Sequence, residues 1–464
     1  MGEAPLADRG RIFGNATAEP LETQTIVLVT GANAGLGFAT CCRLIDDFLS
    51  LHRSSPERRL TIVFTTRRSR QASAATEAQI RRHADRHGAA ASSRIRLIAE
   101  TVDLQNLHAV RALARRLDRD LPKLDAIILN AGIGGWDGLN WPLTIWKVLT
   151  DVVHATTWPC YKIGTVGQVT AKQTNLASRS KGAEKEEKRE EPPLGAVFCA
   201  NVFGHYLLTH LVNPLLRRGR TESSEPGRII WLSSLEATPA FYDPDDIQGL
   251  RNERSYESSK QLTDLLALTS DLPCAAPYVE RFLPECSSAD NGGQGGDDSP
   301  RPAIYVTHPG ICGTSIVPLI LPLVYCMMAA FYLARWLGSP WHTIYAYMGA
   351  AAPAWVALSP QSTLDAAEAP YRARGGGRVK WGSSASRWLG TNRVISTEVE
   401  GWGHGGVVGP PFLQNDAQLR RKRGLKLSTE EDRKQFEALG CRAWREMEEL
   451  REQWEQLLDE DERE

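Results

Sequence analysis

The sequence predicts a doubly wound α/β fold, an open parallel sheet with helices on both faces. Three observations carry this. Apolar β-branched runs alternate with amphipathic stretches, the first run ends in a glycine-rich turn that opens a helix, and polar residues suited to chemistry stand just beyond later runs. Strands covered on both faces read as continuous apolar runs, and these do.

The elements follow in order. Thr25–Thr30 (TIVLVT) reads as the first strand and Gly35–Leu51 as the helix after its glycine turn. Leu60–Thr65 is the second strand, followed by a helix over Ala72–His87. Ile95–Val102 is a strand, Leu107–Leu117 a helix and Leu124–Leu129 (LDAIIL) the fourth strand. After an interruption, the rhythm resumes with a helix over Ala196–Leu216, a strand at Arg228–Leu232, a helix at Tyr256–Leu268 and a strand at Ile304–Thr307. The organisation is a tail (1–24), a nucleotide-binding catalytic domain (25–315), an apolar segment (316–358) and a C-terminal extension (359–464).

Two stretches interrupt the domain. Residues 135–193 begin aromatic (Trp136, Trp141, Trp146) and end in the charge run Lys181–Glu191, which reads as a solvated loop. Ser287–Pro300 is a flexible loop by composition. Near the C-terminus Ser428-x-x-Glu431 has the form of a capping box. Phe436, Leu439, Trp444, Met447, Leu450, Trp454 and Leu457 then recur at helical spacing, as in an amphipathic helix docked on the domain or a partner.

Composition narrows the function. Lys and Arg number 54 against 55 Asp and Glu, which argues against a strongly basic nucleic-acid binder. Nine cysteines without a C-x-x-C pair point to reduced thiols rather than a disulfide framework or a zinc site. The polar N-terminus shows no apolar signal core.

Thr30-Gly31-Ala32-Asn33-Ala34-Gly35-Leu36-Gly37 sits where strand passes into helix. Glycines allow the tight turn and the close approach of a pyrophosphate, which then meets a helix N-terminus, the arrangement of a Rossmann-type nucleotide site. At the end of the second strand an acid would bind the ribose hydroxyls of NAD. Here Thr65-Thr66-Arg67-Arg68 offers guanidinium groups suited to a 2′-phosphate, so NADP(H) is the expected cofactor. Tyr256 and Lys260 stand four apart on one helical face, and Ser233 and Ser234 end the strand before them. An ammonium near a phenol favours the phenolate, which brings a tyrosine toward acid–base work at neutral pH.

With these motifs in place, the chain resembles the short-chain dehydrogenase/reductases over about Thr25–Thr314. Val102-Asp103-Leu104, Asn130-Ala131-Gly132, Asn201 and His308-Pro309-Gly310 complete the pattern. The resemblance implies that Asp103 holds the adenine, Asn130 packs along the cofactor and Thr314 contacts the nicotinamide side. It implies that Tyr256 exchanges the proton, Lys260 lowers its pKa and holds the nicotinamide ribose, Ser234 orients the substrate oxygen, and Asn201 holds a relay water. One departure is the spacing of 22 residues between Ser234 and Tyr256, longer than the family's dozen or so, through Phe241–Glu253. That bears on pocket shape.

Ile230–Ala237 (IWLSSLEA), Ser255–Asp264 (SYESSKQLTD), Trp381-Gly382-Ser383 and Glu398–Gly403 (EVEGWG) resemble the fungal 3-keto-sterol reductases. That likeness implies reduction of the C3 ketone of a 4-demethylated sterol in ergosterol biosynthesis. It also implies an endoplasmic reticulum membrane location with a cytosolic catalytic domain, lipid droplets as a second location, and other sterol C4-demethylation enzymes as partners. Between Pro302 and Leu364 the sole charge is Arg335, and Ile316–Ala334 has nineteen uncharged residues, near the ~20 of a membrane helix. Pro318, Pro322, Pro340 and Pro353 argue instead for a re-entrant or monotopic membrane-associating hairpin, with a buried core helix as the alternative. A reductase of retinal or another lipid carbonyl and a membrane scaffold for sterol enzymes are the competing readings.

Overall fold

The computed structural model describes residues 20–67, 70–174, 191–221, 224–285, 299–314, 319–388, 390–419 and 421–463. Arg68 and most of the charge run Lys181–Glu191 and of Ser287–Pro300 lie outside these.

The first half is three strand–helix units: β1 (Gln24–Val29), α1 (Gly35–Leu51), β2 (Arg59–Thr66), α2 (Arg70–Asp85), β3 (Ile95–Thr101) and α3 (Leu107–Asp120), before β4 (Ala126–Leu129). Along β1, Ile26 and Leu28 join the core on one side of the sheet while Val27 and Val29 join the core on the other. Both faces are therefore covered, which is why the run is uniformly apolar.

The insertion then builds a short hairpin, β5 (Trp136–Leu139) against β6 (Lys162–Gly164), around two helices, α4 (Trp141–Thr150) and α5 (Val152–Thr157). The helix expected over Ala196–Leu216 is not uniform. α6 (Ala196–Phe198) passes through a π-helical turn at Cys199–Phe203 into α7 (Gly204–Leu211). Such a bulge re-aims side chains and is often found at functional sites, and this one carries Asn201. β7 (Arg228–Leu232), α8 (Ser255–Thr269), α9 (Ala276–Phe282) and β8 (Ala303–His308) follow.

The apolar segment divides in two. α10 (Leu321–Trp336) is sixteen residues, a rise of about 24 Å against the ~30 Å of a hydrocarbon core, and it keeps Leu321, Tyr325, Leu333 and Trp336 exposed. α11 (Ala351–Leu358) is instead a core helix, with Ala354, Val356 and Ala357 buried against the sheet. A membrane hairpin over the whole of 316–358 is thus corrected: its second half is needed to cover the sheet. Among the described residues no helix is long and apolar enough to cross a membrane.

The C-terminal extension is also more integrated than expected. After α12 (Gln361–Arg372), β9 (Lys380–Ala385) and β10 (Asn392–Ser396) enlarge the main sheet to the order β10-β9-β8-β7-β4-β1-β2-β3. All pairings are parallel except β10 with β9. Strand order reverses between β1 and β4, so a crevice opens at their C-terminal ends. The last helix, α13 (Glu430–Arg463), lays Phe436, Trp444, Met447 and Trp454 into the core that Ile26 and Leu28 join, on the face of the sheet opposite α11.

Two local expectations shift. The capping box is one residue later: Thr429 Oγ1 accepts from Asp432 N at 3.2 Å while Asp432 accepts from Thr429 N at 2.8 Å. Ser428 instead accepts from Gly401 N, 3.1 Å away. The all-thiol expectation is corrected by a disulfide between Cys274 and Cys441, which joins α13 to the turn before α9.

Candidate active site

The glycine turn is shaped by contacts rather than by sequence alone. Gly31 lies at φ +70°, and a Cβ there would stand 2.9 Å from Ala131 Cα. A Cβ at Gly37 would stand 2.2 Å from the Gly31 carbonyl oxygen. Thr30 buttresses the neighbouring strand end: its Oγ1 accepts from Asn130 N (2.9 Å) and Ala131 N (3.0 Å). His205 Nδ1 contacts the Asn201 carbonyl, which can only accept, so that nitrogen carries the proton. Burial holds the His205 pKa down to about 3, and its free Nε2 accepts a hydrogen bond from the Thr30 hydroxyl, 2.8 Å away. Asn130 Nδ2 donates back to the Thr30 carbonyl at 2.8 Å.

Gly31, Asn33, Gly35, Leu36, Gly37, Arg67, Asp103, Asn130 and Thr314 all line one cleft of about 830 Å³, together with Ser234, Tyr256 and Lys260. Asp103 accepts from Gln105 N (3.0 Å) and is not the cap of α3; Asn106 is, through Ala109 N. The residues present therefore fit a dinucleotide: a turn whose glycines leave backbone exposed, a helix N-terminus, and a polar wall at the sheet switch point.

Tyr256, Lys260 and Asp264 form a stripe along α8. Ser234 hydrogen-bonds the Tyr256 phenol, whereas the buried Ser233 turns inward to Asp264 and the Lys260 carbonyl. Both serines line the cleft, and Ser234 is the one beside the phenol. Asn201 stands one layer behind the cleft wall. Its Oδ1 accepts from Ile133 N (2.8 Å), and its Nδ2 donates to Ile133 O (3.0 Å) and Ser259 Oγ (3.1 Å).

Burial dominates the electrostatics of the catalytic pair. Tyr256 is pushed above the ordinary tyrosine range, first by burial and then by the negative charge of Glu236, with the Ser234 hydrogen bond opposing. Lys260 is not among the leading influences on the phenol. Its Nζ donates to Leu232 O at 2.8 Å, lies 5.6 Å from the Tyr256 ring centre, and is itself brought down to about 8 by burial.

Three charged groups escape a reading of the sequence. Lys380, from β9, donates to the Ser234 carbonyl (2.7 Å) and pairs with buried Asp264 (2.6 Å). Lys162, from the insertion, pairs with Glu236 on the cleft wall. Glu236 falls within the IWLSSLEA segment, but topology alone brings these groups to their partners. The extra residues Phe241–Glu253 do not line the cleft. Their acids are engaged elsewhere: Asp246 accepts from Leu250 N (2.9 Å), and Asp245 pairs with Arg442 of α13 (2.5 Å).

Beyond Tyr256 the cleft is apolar. α4 contributes Ile145 and Leu149, and α10 contributes Leu323, Met327 and Phe331. The rim remains uncovered, since Trp141, Ile145, Trp146 and Leu149 are exposed.

A doubly wound sheet with a glycine turn at its switch point and a Ser–Tyr–Lys group on the opposite wall defines the class: a short-chain dehydrogenase/reductase, an oxidoreductase working with a nicotinamide cofactor. No protein-family model matches the chain. It is 55% identical over 446 residues to "3-keto-steroid reductase erg27" of Aspergillus fumigatus, covering 95% of this chain and 96% of that one. It is 36% identical over 481 residues to the 3-keto-steroid reductase of Gibberella zeae, with 95% and 96% covered. Among solved structures it resembles Pseudomonas aeruginosa RhlG with NADP (TM-score 0.40, 16% identity, 76% of this chain and 93% of that one). Another is a 7α-hydroxysteroid dehydrogenase (0.39, 16%, 73% and 89%). The chain belongs to the family of fungal 3-keto-steroid reductases.

Proposed function

We propose that the protein reduces the C3 ketone of a 4-demethylated sterol to the 3β-alcohol in ergosterol biosynthesis, using NADPH. The observation that carries this reading is one continuous cleft, polar where Tyr256, Ser234 and Lys260 meet and apolar between α4 and α10. A rigid, water-insoluble ring system with a single oxygen suits such a lining.

The bound cofactor supplies the hydride. Gly31, Asn33, Gly35, Leu36 and Gly37 would hold its phosphates, Asp103 its adenine, and Asn130 and Thr314 its nicotinamide half. Arg67 lines the cleft just past β2, where Thr65 and Thr66 stand in place of an acid; this supports a 2′-phosphate and hence NADPH. Ser234 orients the ketone oxygen, Tyr256 delivers the proton to it as it becomes an alkoxide, and Lys260 restores charge balance beside the phenol. Asn201 fixes the 131–133 loop that backs the site.

The exposed apolar rim supports a membrane face through which the sterol enters, with α4 and α10 lying in the interface rather than crossing it. A cytosol-facing site on the endoplasmic reticulum, with lipid droplets as a second location and other sterol C4-demethylation enzymes as partners, fits the same surface. The test is NADPH oxidation by purified protein with a panel of 3-keto sterols and retinal. Turnover of the sterols supports the reading; turnover of retinal alone overturns it in favour of a lipid-aldehyde reductase; none with any carbonyl favours a scaffold.

A further inference from the structure

Besides α4, the insertion places a cation in the active site. β5 and β6 stand Trp136 and Lys162 over the catalytic tyrosine. The Trp136 and Tyr256 rings are 4.7 Å apart at 60°, and Lys162 Nζ lies 3.7 Å from the Trp136 ring centre and 5.4 Å from that of Tyr256. Lys162 is nearly buried and ion-pairs with Glu236, two residues beyond Ser234. Glu236 is 14% exposed, and it lines the cleft. An ion pair has been carried into the cleft wall beside the catalytic tyrosine, where taking both charges out of water carries a desolvation cost.

We propose that Lys162, delivered by the insertion, is a positioning residue that neutralises Glu236 and so keeps an unbalanced negative charge away from Tyr256. This rests on the reductase reading above.

The surroundings set the sign. Tyr256 faces Glu236, Glu257, Cys312 and, at longer range, Lys260. Glu236 faces Lys162, Glu257, Arg254 and Tyr161; burial and Glu257 raise its proton affinity, and Lys162 and Arg254 lower it. Arg254 is already engaged, with Glu257 at 3.4 Å and the Cys160 carbonyl at 2.7 Å. Lys162 is thus the principal counter-charge of Glu236. Without it, an ionised Glu236 makes the phenol a weaker acid and slows protonation of the alkoxide. A Glu236 that has taken up a proton does not.

The experiment is the pH dependence of kcat for wild type, Lys162→Met, Lys162→Arg and the double variant K162M/E236Q, with NADPH binding followed by fluorescence. K162M should approach the wild-type rate at acid pH and fall about tenfold below it as Glu236 ionises, one pKa unit of added proton affinity in the phenol. NADPH affinity should be unchanged, K162R should behave as wild type, and the double variant should lose the fall. A K162M profile that parallels wild type, or a double variant that keeps the fall, overturns the proposal. If K162M does not fold, Glu236→Gln serves: Lys162 then stands unbalanced by the phenol, and the alkaline limb should move to lower pH; an unmoved limb overturns the proposal. If wild type turns over no 3-keto steroid, the substrate reading fails, while the pair is still tested without substrate. In an infrared titration the Glu236 carboxyl band, identified by its loss in E236Q, should appear at higher pH in K162M than in wild type, and an unmoved band overturns the pairing.

Discussion

Lys260 and Arg67 carry the predictions that belong to single residues. Burial brings Lys260 to about 8 from an ordinary 10.5, so its charge is complete below that value and lost above it. Losing the cation makes Tyr256 a poorer proton donor. kcat/KM for ketone reduction, which reports the free enzyme, should therefore decline above about pH 8. A profile flat to pH 10 would remove Lys260 from the mechanism. Arg67→Ala should raise KM for NADPH by about tenfold or more while leaving KM for NADH nearly unchanged, the loss of a charge-assisted phosphate contact. Most of the candidate site was legible because its motifs are short: TGANAGLG, SS and YxxxK each lie within one turn or one helix. Glu236, Lys162 and Lys380 were not, since their pairings span 74 residues in one case and 116 or more in the other.

At the scale of elements, α13 is the clearest case of a periodic pattern that finds its partner within the chain. Trp444 is buried, packs on Tyr206 and Phe282 at centroid distances of 5.9 and 5.5 Å, and donates from Nε1 to Leu266 O at 3.0 Å. Trp444→Ala should destabilise the fold by about 3–5 kcal/mol, measured by urea unfolding, from cavity formation and an unpaired carbonyl. A loss below 1 kcal/mol would mean that the helix is not docked. The first four strands and α1 were legible because continuous apolar runs bounded by turns are unambiguous. β9 was not: KWGSSA lacks an apolar run, and it is a strand because β8 offers it a parallel edge. The apolar residues of α11 look alike whether lipid or a sheet covers them, so only topology separates the two.

The whole molecule is a charged body with an apolar rim over its cleft. Trp146 and Leu149 on α4 and Leu321 and Tyr325 on α10 are at least 65% exposed, a concentration of large apolar groups that monomeric surfaces seldom leave in water. Full-length protein should co-sediment with phospholipid vesicles, and Trp146→Glu combined with Leu149→Glu should reduce the bound fraction several-fold without changing the circular dichroism spectrum. Unchanged binding would place the membrane face elsewhere. The central claim, that Tyr256 protonates a steroid C3 ketone, is tested most directly by NADPH oxidation with a 3-keto sterol, wild type against Tyr256→Phe. The account predicts turnover by wild type, and loss of at least about three orders of magnitude in the variant with NADPH binding retained. Phenylalanine at 256 turning over near the wild-type rate, or a wild type inert toward every 3-keto sterol, would contradict it.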